Sequence, residues 1–177
     1  MVKRDGLLQR CSSLVVMGYS RCCVYPVNLE EAIIIRELTT NEQEINRVME
    51  IWKESTIQAH SFIAKEYWLQ NYTVVKENYI PMSKTYLYLE SNEIKGFISI
   101  VDGQFIGALF VAVNCQGKGI GRKLLDHVKG IYDCLTLAVY KDNEQAVSFY
   151  QKNEFVLKQE QLDKETNHVE YRMSFEK

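Results

Sequence analysis

The sequence has no excess of charge of either sign, little proline and no long apolar run. Its 21 Lys and Arg residues nearly balance its 23 Asp and Glu residues, which gives a formal net charge of −2. A protein that coats nucleic acid needs a strong basic excess, so this class is excluded. No apolar run approaches the roughly 20 residues of a membrane helix, so no membrane is expected as a partner either. With 2 prolines and 46% hydrophobic residues, the chain is not of the disordered class.

The 5 cysteines and 3 histidines form neither a disulfide framework nor a metal-binding pattern. The cysteines are odd in number and lack paired Cys-x-x-Cys spacing, so we expect reduced thiols, a cytoplasmic protein and no metal. Residues 1–32 hold Cys11, Cys22 and Cys23 but show no sustained periodicity. They are predicted to be an extension that is disordered or precedes the true start, for instance Met17. Residues 33–177 are long enough for one domain with its own core.

Two amphipathic helices are predicted in the first half of this domain. Residues 39–41 offer side chains for an N-cap, and a capping box favours Thr40. From Ile45, apolar residues recur at the spacing of one helix face. The same spacing recurs from Trp68, and Pro81 is expected to stop that second helix.

The strand signals predict a mixed sheet. A β-branched strand is expected at 33–38, followed by an antiparallel meander with strands at 84–90, 94–101 and 104–113. Helices then alternate with strands, which predicts a parallel pair. The expected elements are a helix over 120–131, a strand over 135–140, a helix over 144–153, and two last strands that begin at Phe155 and His168. The fold class is therefore α/β (α+β), with a mixed, mostly antiparallel central sheet flanked by helices.

A glycine-rich loop between a strand and a helix carries the chemistry. Gly117, Gly119 and Gly121 lie within five positions, and Lys118 and Arg122 add positive charge. Glycine permits positive φ and close approach of a ligand, and the free N–H groups of a helix N-terminus suit a phosphate or pyrophosphate. A Walker loop does not fit, and the Rossmann fingerprint would need glycine at position 122. An ordinary β–α turn is the other interpretation.

Two motifs resemble the GNAT acetyltransferase superfamily. Gln116, Gly119 and Gly121 occupy the defining positions of [Q/R]-x-x-G-x-[G/A], the acetyl-CoA pyrophosphate loop of that family. Residues 143–150, NEQAVSFY, resemble its N-x-x-A-x-x-F-Y helix. The resemblance covers roughly residues 33 to 175. The segments 51–68 and 96–100 are similar to those of the small bacterial peptidyl-lysine N-acetyltransferases.

The resemblance implies a GNAT-like acyl-CoA N-acyltransferase fold and direct transfer of an acetyl group from acetyl-CoA to a primary amine, without a metal. The acceptor is a protein lysine or a small molecule, and the enzyme is a monomer or a homodimer. Tyr150 is implied to meet the departing thiolate. A tyrosine with pKa about 10 is a weaker acid than a thiol at about 8.5, so a hydrogen bond is the expected contribution. Phe110, Val111 and Val113 are implied to bind the cofactor through their main chain. The loop residues implied to bind it are Gln116, Gly117, Lys118, Gly119, Ile120, Gly121 and Arg122. Asn143 is implied to contact the cofactor too, and helix capping is the alternative for this residue.

The acceptor site and the general base are less well defined. His60, Phe62, Tyr67, Trp68 and Phe105 are candidates to line the acceptor pocket, and core packing is the alternative, above all for Tyr67 and Trp68. Ala138 stands where many relatives place a glutamate that serves as the base. A water relay, Tyr140, His60 and Glu90 remain possible substitutes. Ala138 also keeps open a second hypothesis, an acyl-CoA-binding sensor without catalysis.

One further departure from the family pattern concerns the end of the last helix. Glu154 replaces the glycine that usually precedes Phe155. Asn153 is therefore expected to take the left-handed conformation in its place.

Overall fold

The computed structural model describes residues 33–177, which form one seven-stranded sheet with helices on both faces. The expectations for residues 1–32 lie outside the described residues. Across the sheet the strand order is β1-β2-β3-β4-β5-β7-β6. The strands are β1 (Ile33–Glu37), β2 (Lys84–Glu90), β3 (Glu93–Val101), β4 (Phe105–Val111), β5 (Cys134–Tyr140), β6 (Val156–Leu162) and β7 (Val169–Glu176).

The predicted mixed sheet is confirmed, and its single parallel pair within residues 33–177 is short. Strands β4 and β5 pair only where Phe105 lies opposite Thr136 and Ile106 opposite Leu137. Past Ile106 the ladder between the two strands ends, whereas each neighbouring antiparallel ladder continues. We call the resulting gap the β4–β5 cleft, which opens toward the C-terminal ends of both strands.

Five α-helical segments accompany the sheet in the described part of the chain. They are α1 (Glu42–Ala59), α2 (Lys65–Val74), α3 (Ile80–Met82), α4 (Ile120–Ile131) and α5 (Glu144–Lys152). Helix α1 begins after Asn41, whose side-chain oxygen accepts hydrogen bonds from the main-chain N–H groups of Gln43 and Glu44 at 2.8 and 3.4 Å. The preference for Thr40 as the cap is therefore wrong, because Asn41 is the residue spaced to reach the second and third helical N–H groups.

The second predicted helix is present, but Pro81 does not stop it. A π-helical turn at Val75–Tyr79 joins α2 to α3, and the helical segment ends one residue after the proline, at Met82. Pro81 lies in the first turn of α3. A first-turn residue donates no hydrogen bond within its own helix, so proline is tolerated there.

Helices α4 and α5 cover one face of the sheet. On β2, the ring of Tyr86 lies 5.0 Å from that of His127 on α4. On β7, the ring of Phe175 lies 3.8 Å from the Nζ atom of Lys129, also on α4. Leu135 pairs with Phe175, so Leu135 and the alternate residues of β5 face these helices and are buried.

Helices α1 and α2 lie on the other face, and the remaining β5 side chains point that way. Tyr140 at the end of β5 contacts His60, which ends α1, with 5.4 Å between ring centroids. Because side chains two residues apart share a face of a strand, Ala138 points to the same side as Tyr140. The two faces of β5 therefore present different chemistry, apolar toward α5 and polar toward α1.

The end of α5 differs from the sequence-based expectation. Glu154, with φ of 69°, takes the left-handed conformation, whereas Asn153 has φ of −105°. At this helix end the Nζ atom of Lys129 donates to the Asn153 carbonyl at 2.7 Å and to the Glu154 carboxylate at 2.9 Å. The side chain of Asn153 itself donates to the Phe149 carbonyl at 2.8 Å and closes the helix.

Glu44 joins β1 to α1. Its carboxylate accepts hydrogen bonds from Arg36 at 2.5 Å and from the Thr39 hydroxyl at 2.9 Å. The hydrogen bond from Arg36 is the main reason why the pKa of Glu44 falls from 4.5 to about 2. Because the folded-state pKa is lowered, this contact stabilises the fold above about pH 4.5, and the stabilisation is lost as the pH falls toward 2.

Replacing Glu44 should therefore destabilise the protein in a pH-dependent way. We expect Glu44→Gln to lower the free energy of unfolding by about 1–2 kcal/mol at neutral pH, since a charged hydrogen bond is lost. Urea unfolding at pH 7 and again near pH 3 measures the difference, which should shrink at the lower pH. Glu42→Gln is the matched control, because Glu42 is also in the first turn of α1 but is exposed. Equal losses in the two variants would contradict the role of Arg36 and Thr39.

Candidate active site

The loop between β4 and α4 presents a row of open main-chain donors. Gly117 and Gly119 have φ of 75° and 80°, a conformation that L side chains rarely adopt. Helix α4 begins after Gly119 without a side-chain cap. In the described part of the chain, no atom accepts a hydrogen bond from the main-chain N–H groups of residues 117–122. Open donors at the positive end of a helix dipole are suited to a pyrophosphate group.

The side chains of the loop leave these donors accessible. Lys118 and Arg122 are exposed, and the Nε atom of Arg122 lies 3.6 Å from the Asp126 carboxylate. Ile120 is instead buried and anchors the start of α4 in the core. At Gly121, an added Cβ would lie 3.7 Å from Phe149, which is ordinary van der Waals contact. Position 121 therefore accepts glycine or alanine, as the motif [G/A] states.

The main chain of Val111 faces the β4–β5 cleft. Ala112 donates its N–H to the carbonyl of Lys95 on β3 at 2.8 Å. Since main-chain groups alternate in direction along an antiparallel strand, Val111 points its own groups away from β3. Its carbonyl accepts from the Ser55 hydroxyl at 2.9 Å and from the Gln116 side chain at 3.2 Å. These two contacts fix the strand end and leave the Val111 N–H as a donor at the cleft.

Phe110 and Val113 were also predicted to contact the cofactor through their main chain, but their main-chain groups do not point into the cleft as those of Val111 do. Phe110 pairs with Phe97, and the same alternation turns its main chain toward β3 and away from the cleft. Val113 begins a 3₁₀ turn, and its carbonyl accepts from the N–H of Gln116 at 3.5 Å. Ser55 was not singled out from the sequence as a site residue. The available signal was a small polar residue on the buried face of α1, one turn after Trp52.

Tyr150 is buried, and its hydroxyl group has no hydrogen-bond partner among residues 33–177. Its side chain is 9% exposed and packs edge-on against Phe149 and Phe155, at 5.2 and 5.5 Å between ring centroids. Burial raises the pKa of Tyr150 above its usual value of 10. Among residues 33–177, the buried polar side-chain atoms without a partner are Thr56 Oγ1, Trp68 Nε1 and Ser174 Oγ. The Tyr150 hydroxyl is not among these enclosed atoms, so it is available to a bound molecule.

Asn143 caps α5. Its side-chain oxygen accepts the main-chain N–H of Ala146 at 3.1 Å. This contact is the capping alternative that the sequence left open. It also fixes the start of the helix that carries Tyr150.

Beyond the open end of the cleft, on the α1 face, lies a set of rings that we call the aromatic cluster. Its members are His60, Phe62, Trp68, Tyr140 and His168. Centroid distances from His60 are 5.1 Å to Trp68, 5.4 Å to Tyr140 and 5.8 Å to Phe62. The structure thus brings the predicted residues His60 and Phe62 together. It adds His168, which lies 5.0 Å from Phe62.

Carboxylates surround the aromatic cluster. The Tyr140 hydroxyl donates to Asp163 at 2.8 Å, and Nδ1 of His168 lies 2.8 Å from Asp142. Next to Trp68, the Tyr67 hydroxyl donates to Glu165 at 2.9 Å. Burial and the Asp163 carboxylate both raise the pKa of Tyr140. This phenol is therefore unsuited to accept a proton from an amine.

Two candidates from the sequence lie apart from the cluster. Phe105 starts β4 at the closed end of the cleft, 5.7 Å from the guanidinium of Arg172. Glu90 ends β2 and lies near Lys95 and β1, two strands away from β4. The tertiary structure therefore does not bring Glu90 to the cleft as a general base.

Comparison with known proteins gives the family. Residues 41–175 match the acetyltransferase (GNAT) domain. The chain belongs to the GNAT acetyltransferase family. It is 34% identical over 122 residues to the peptidyl-lysine N-acetyltransferase YiaC of Escherichia coli, across 69% of this chain and 82% of that protein. It is 30% identical over 121 residues to the peptidyl-lysine N-acetyltransferase YjaB of Escherichia coli, across 68% and 81%.

Solved structures confirm the fold. The solution structure of apo YjaB from Escherichia coli superposes with a TM-score of 0.70 at 27% identity, across 81% of this chain and 97% of that one. The PaiA N-acetyltransferase of Thermoplasma acidophilum, in complex with coenzyme A, gives a TM-score of 0.69 at 20% identity, across 82% and 99%. The predictions of a GNAT fold and of an N-acetyltransferase are confirmed. The protein is an acetyl-CoA-dependent N-acetyltransferase whose acceptor is an amine.

Residues 33–177 show neither a membrane-spanning helix nor a metal-binding cluster. No helix there is both long and apolar enough to cross a membrane. No group of three or more His, Cys, Asp or Glu side chains is placed to hold a metal ion.

The glycine conformations at the loop predict a selective loss of cofactor binding. Gly119→Ala places a Cβ atom on the residue before the first turn of α4, at a φ of 80°. We expect an increase of at least 10-fold in the Kd for coenzyme A, measured by calorimetry. Gly103→Ala is the matched control, because Gly103 has φ of 72° and equally open space but lies in the β3–β4 turn.

Both glycine variants should lose a similar amount of stability, about 1–2 kcal/mol for a strained left-handed residue. Thermal unfolding of the two proteins without ligand checks this equality. If Gly119→Ala bound coenzyme A as tightly as Gly103→Ala, the loop would not be the pyrophosphate site.

Proposed function

We propose that this enzyme acetylates lysine side chains of proteins. The observation that carries the proposal is the aromatic cluster with its carboxylates, which lies beyond the open end of the β4–β5 cleft on the α1 face. The relatives YiaC and YjaB are named peptidyl-lysine N-acetyltransferases, which supports the same acceptor class here. The proposed location is the cytoplasm, in keeping with the free thiols of Cys115 and Cys134.

The proposed binding mode assigns the cosubstrate to the glycine loop and the cleft. The N–H groups from Gly117 to Arg122 hold the pyrophosphate, and Lys118 and Arg122 add positive charge beside it. The Val111 N–H is the donor nearest the gap between β4 and β5, where it can stabilise negative charge on a carbonyl oxygen. Acetyl-CoA supplies the acetyl group as a thioester, which an amine attacks directly.

Tyr150 is proposed to stabilise the departing thiolate. Its hydroxyl has no partner among the described residues, and its ring is fixed by Phe149 and Phe155. The raised pKa of Tyr150 keeps the phenol protonated across the working pH range. It therefore acts as a hydrogen-bond donor to sulfur, because full proton transfer to a thiolate is uphill.

The acceptor site is proposed to attract the lysine ammonium before reaction. Aromatic faces bind cations, and carboxylates around the cluster add a longer-ranged attraction. Asp142, Asp163, Glu165 and Glu170 all lie at this end of β5 and β7. A lysine side chain on a peptide is long and narrow enough to enter such a site while its main chain stays outside.

The first test of the proposal is acetyl transfer itself. Thiol release from acetyl-CoA should require a lysine peptide, and mass spectrometry should place the acetyl group on the side-chain nitrogen. We expect Tyr150→Phe to lower kcat about 10- to 100-fold, within the range of a proton-donating group, without a change in the Kd for coenzyme A. Tyr86→Phe is the control, because Tyr86 is also buried but faces α4 near His127.

Two outcomes of this assay would contradict the proposal. Binding of acetyl-CoA without turnover on any amine, and no effect of Tyr150→Phe, would favour the acyl-CoA sensor. Turnover with small amines but not with lysine peptides would limit the acceptor to small molecules.

The carboxylates predict an effect on acceptor affinity. Glu170 lies opposite Tyr140 on the neighbouring strand and so shares its face of the sheet. We expect Glu170→Gln to raise the KM for a lysine peptide several-fold at low salt with little change in kcat, and less at 1 M salt, where charge is screened. Glu160→Gln has the same change in charge on the opposite face, where Glu160 pairs with Tyr171. Equal KM values for the two variants would show that the negative charge of the carboxylates on the α1 face does not attract the acceptor.

A further inference from the structure

His60 has one ring nitrogen fixed by the main chain. It caps the end of α1. The Thr56 carbonyl accepts one hydrogen bond from the main-chain N–H of His60, at 3.1 Å, and a second from Nδ1 of its ring, at 3.0 Å. A carbonyl oxygen can only accept, so Nδ1 must carry a hydrogen atom. In the neutral imidazole, Nε2 then holds the free electron pair.

The second ring nitrogen of His60, Nε2, is left open by the described part of the chain. No described residue forms a hydrogen bond with Nε2. It is also absent from the set of enclosed, unpartnered polar atoms among residues 33–177. The rings of Trp68, Tyr140 and Phe62 hold the imidazole plane in place while Nε2 stays available.

The environment favours the neutral form of His60. Burial lowers its pKa below 6.5, and the Thr56 hydrogen bond opposes this only in part. The titratable groups around the cluster are Tyr140, Tyr67 and His168, with the carboxylates Asp163, Glu165, Asp142 and Glu170. Arg172 lies opposite Ala138 on the same face. Asp163 and Glu165 accept from tyrosine hydroxyls, Asp142 is engaged by His168, and Glu170 accepts from the Gln161 side chain at 3.2 Å. None of these carboxylates forms an ion pair with His60. The imidazole is therefore an uncharged base at neutral pH.

His60 lies on the same side of the sheet as Ala138, near the open end of the β4–β5 cleft. Its ring contacts Tyr140, and Tyr140 shares a face of β5 with Ala138, about 7 Å further into the cleft. Ala138 has no group that can accept a proton. Tyr150 approaches from the opposite face of the sheet, on α5. An amine that enters along the α1 face therefore meets His60 on its own side, and the leaving sulfur meets Tyr150 on the other.

We propose that Nε2 of His60 is the general base that deprotonates the acceptor amine, with the Thr56 carbonyl as its positioning group. The proposal rests on the proposed function. Nε2 takes one proton from the lysine ammonium, and the imidazolium then releases it to water. The amine forms the new C–N bond, the C–S bond breaks with its electron pair on sulfur, and the second nitrogen proton ends on that sulfur.

The decisive experiment compares two acceptors. His60→Asn keeps an N–H donor for the Thr56 carbonyl but has no basic nitrogen. We expect this variant to lower kcat/KM about 100-fold for a lysine peptide, the range of general-base catalysis. For the same peptide with an aminooxy group in place of the side-chain amine, which is uncharged at neutral pH, the loss should be under about 3-fold, because no ammonium has to lose a proton. A merely structural role would lower both rates equally and would overturn the proposal.

A second readout does not depend on turnover. In the free enzyme, NMR of the histidine ring nitrogens should find His60 protonated at Nδ1 and unprotonated at Nε2, with a pKa below 6.5. The acidic limb of the pH profile of kcat/KM should follow that pKa and disappear in His60→Asn and His60→Gln. His127→Gln is the control, because His127 contacts Tyr86 on the opposite face.

These outcomes separate the two proposals. A protonated Nε2, or an unchanged acidic limb in both His60 variants of an active enzyme, would overturn the role of His60 alone. If the wild-type enzyme bound coenzyme A but acetylated no lysine peptide, the proposed function would fail, and the base would fail with it.

Discussion

The early separation of β4 from β5 is the constraint on which the site depends. Two parallel strands that pair at only two positions leave main-chain groups without sheet partners, and such groups are costly unless something else engages them. Here the carbonyl of Val111 is engaged by Ser55 and Gln116, and the N–H of Val111 is left to face the gap. The strand end and the glycine loop are thereby held as one rigid unit. Helix α4 then starts directly beside the cleft with its donors open.

In the proposed mechanism, the two groups that handle protons, Tyr150 and His60, lie on opposite faces of the sheet. The face covered by α4 and α5 is apolar, and burial there raises the pKa of Tyr150, so that the phenol stays protonated for its proposed role as a donor to sulfur. The face toward α1 carries the aromatic cluster and its carboxylates, which we propose attract the lysine ammonium, and burial there lowers the pKa of His60. Because they lie on opposite faces, the phenol and the imidazole do not hydrogen-bond to each other. The cleft is the passage between the two faces.

Several residues lie where the pattern of residue types did not predict them. Their positions depend on individual contacts in the folded protein. Asn41, rather than Thr40, caps α1 because of the spacing of its side chain to the first free N–H groups. Glu154 takes the left-handed conformation, and its carboxylate accepts from Lys129, 25 residues away in sequence. His168 joins the aromatic cluster because β7 places it beside Phe62. Two of these contacts join residues that are far apart in the sequence. The third depends on which of three neighbouring polar residues reaches the helix N-terminus.

The sequence by itself determined the family, the strand and helix order and the glycine loop. The order of the strands and helices follows from local periodicity. The family and the glycine loop follow from motifs whose residue types and spacing are uncommon in other folds. Only the tertiary structure decided which groups meet at the cleft. It separated Phe105 and Glu90 from the aromatic cluster, and it turned the main chain of Phe110 toward β3. It also fixed the tautomer of His60 through the Thr56 carbonyl. Such outcomes depend on strand register and on main-chain direction, and neither is encoded in the identity of a single residue.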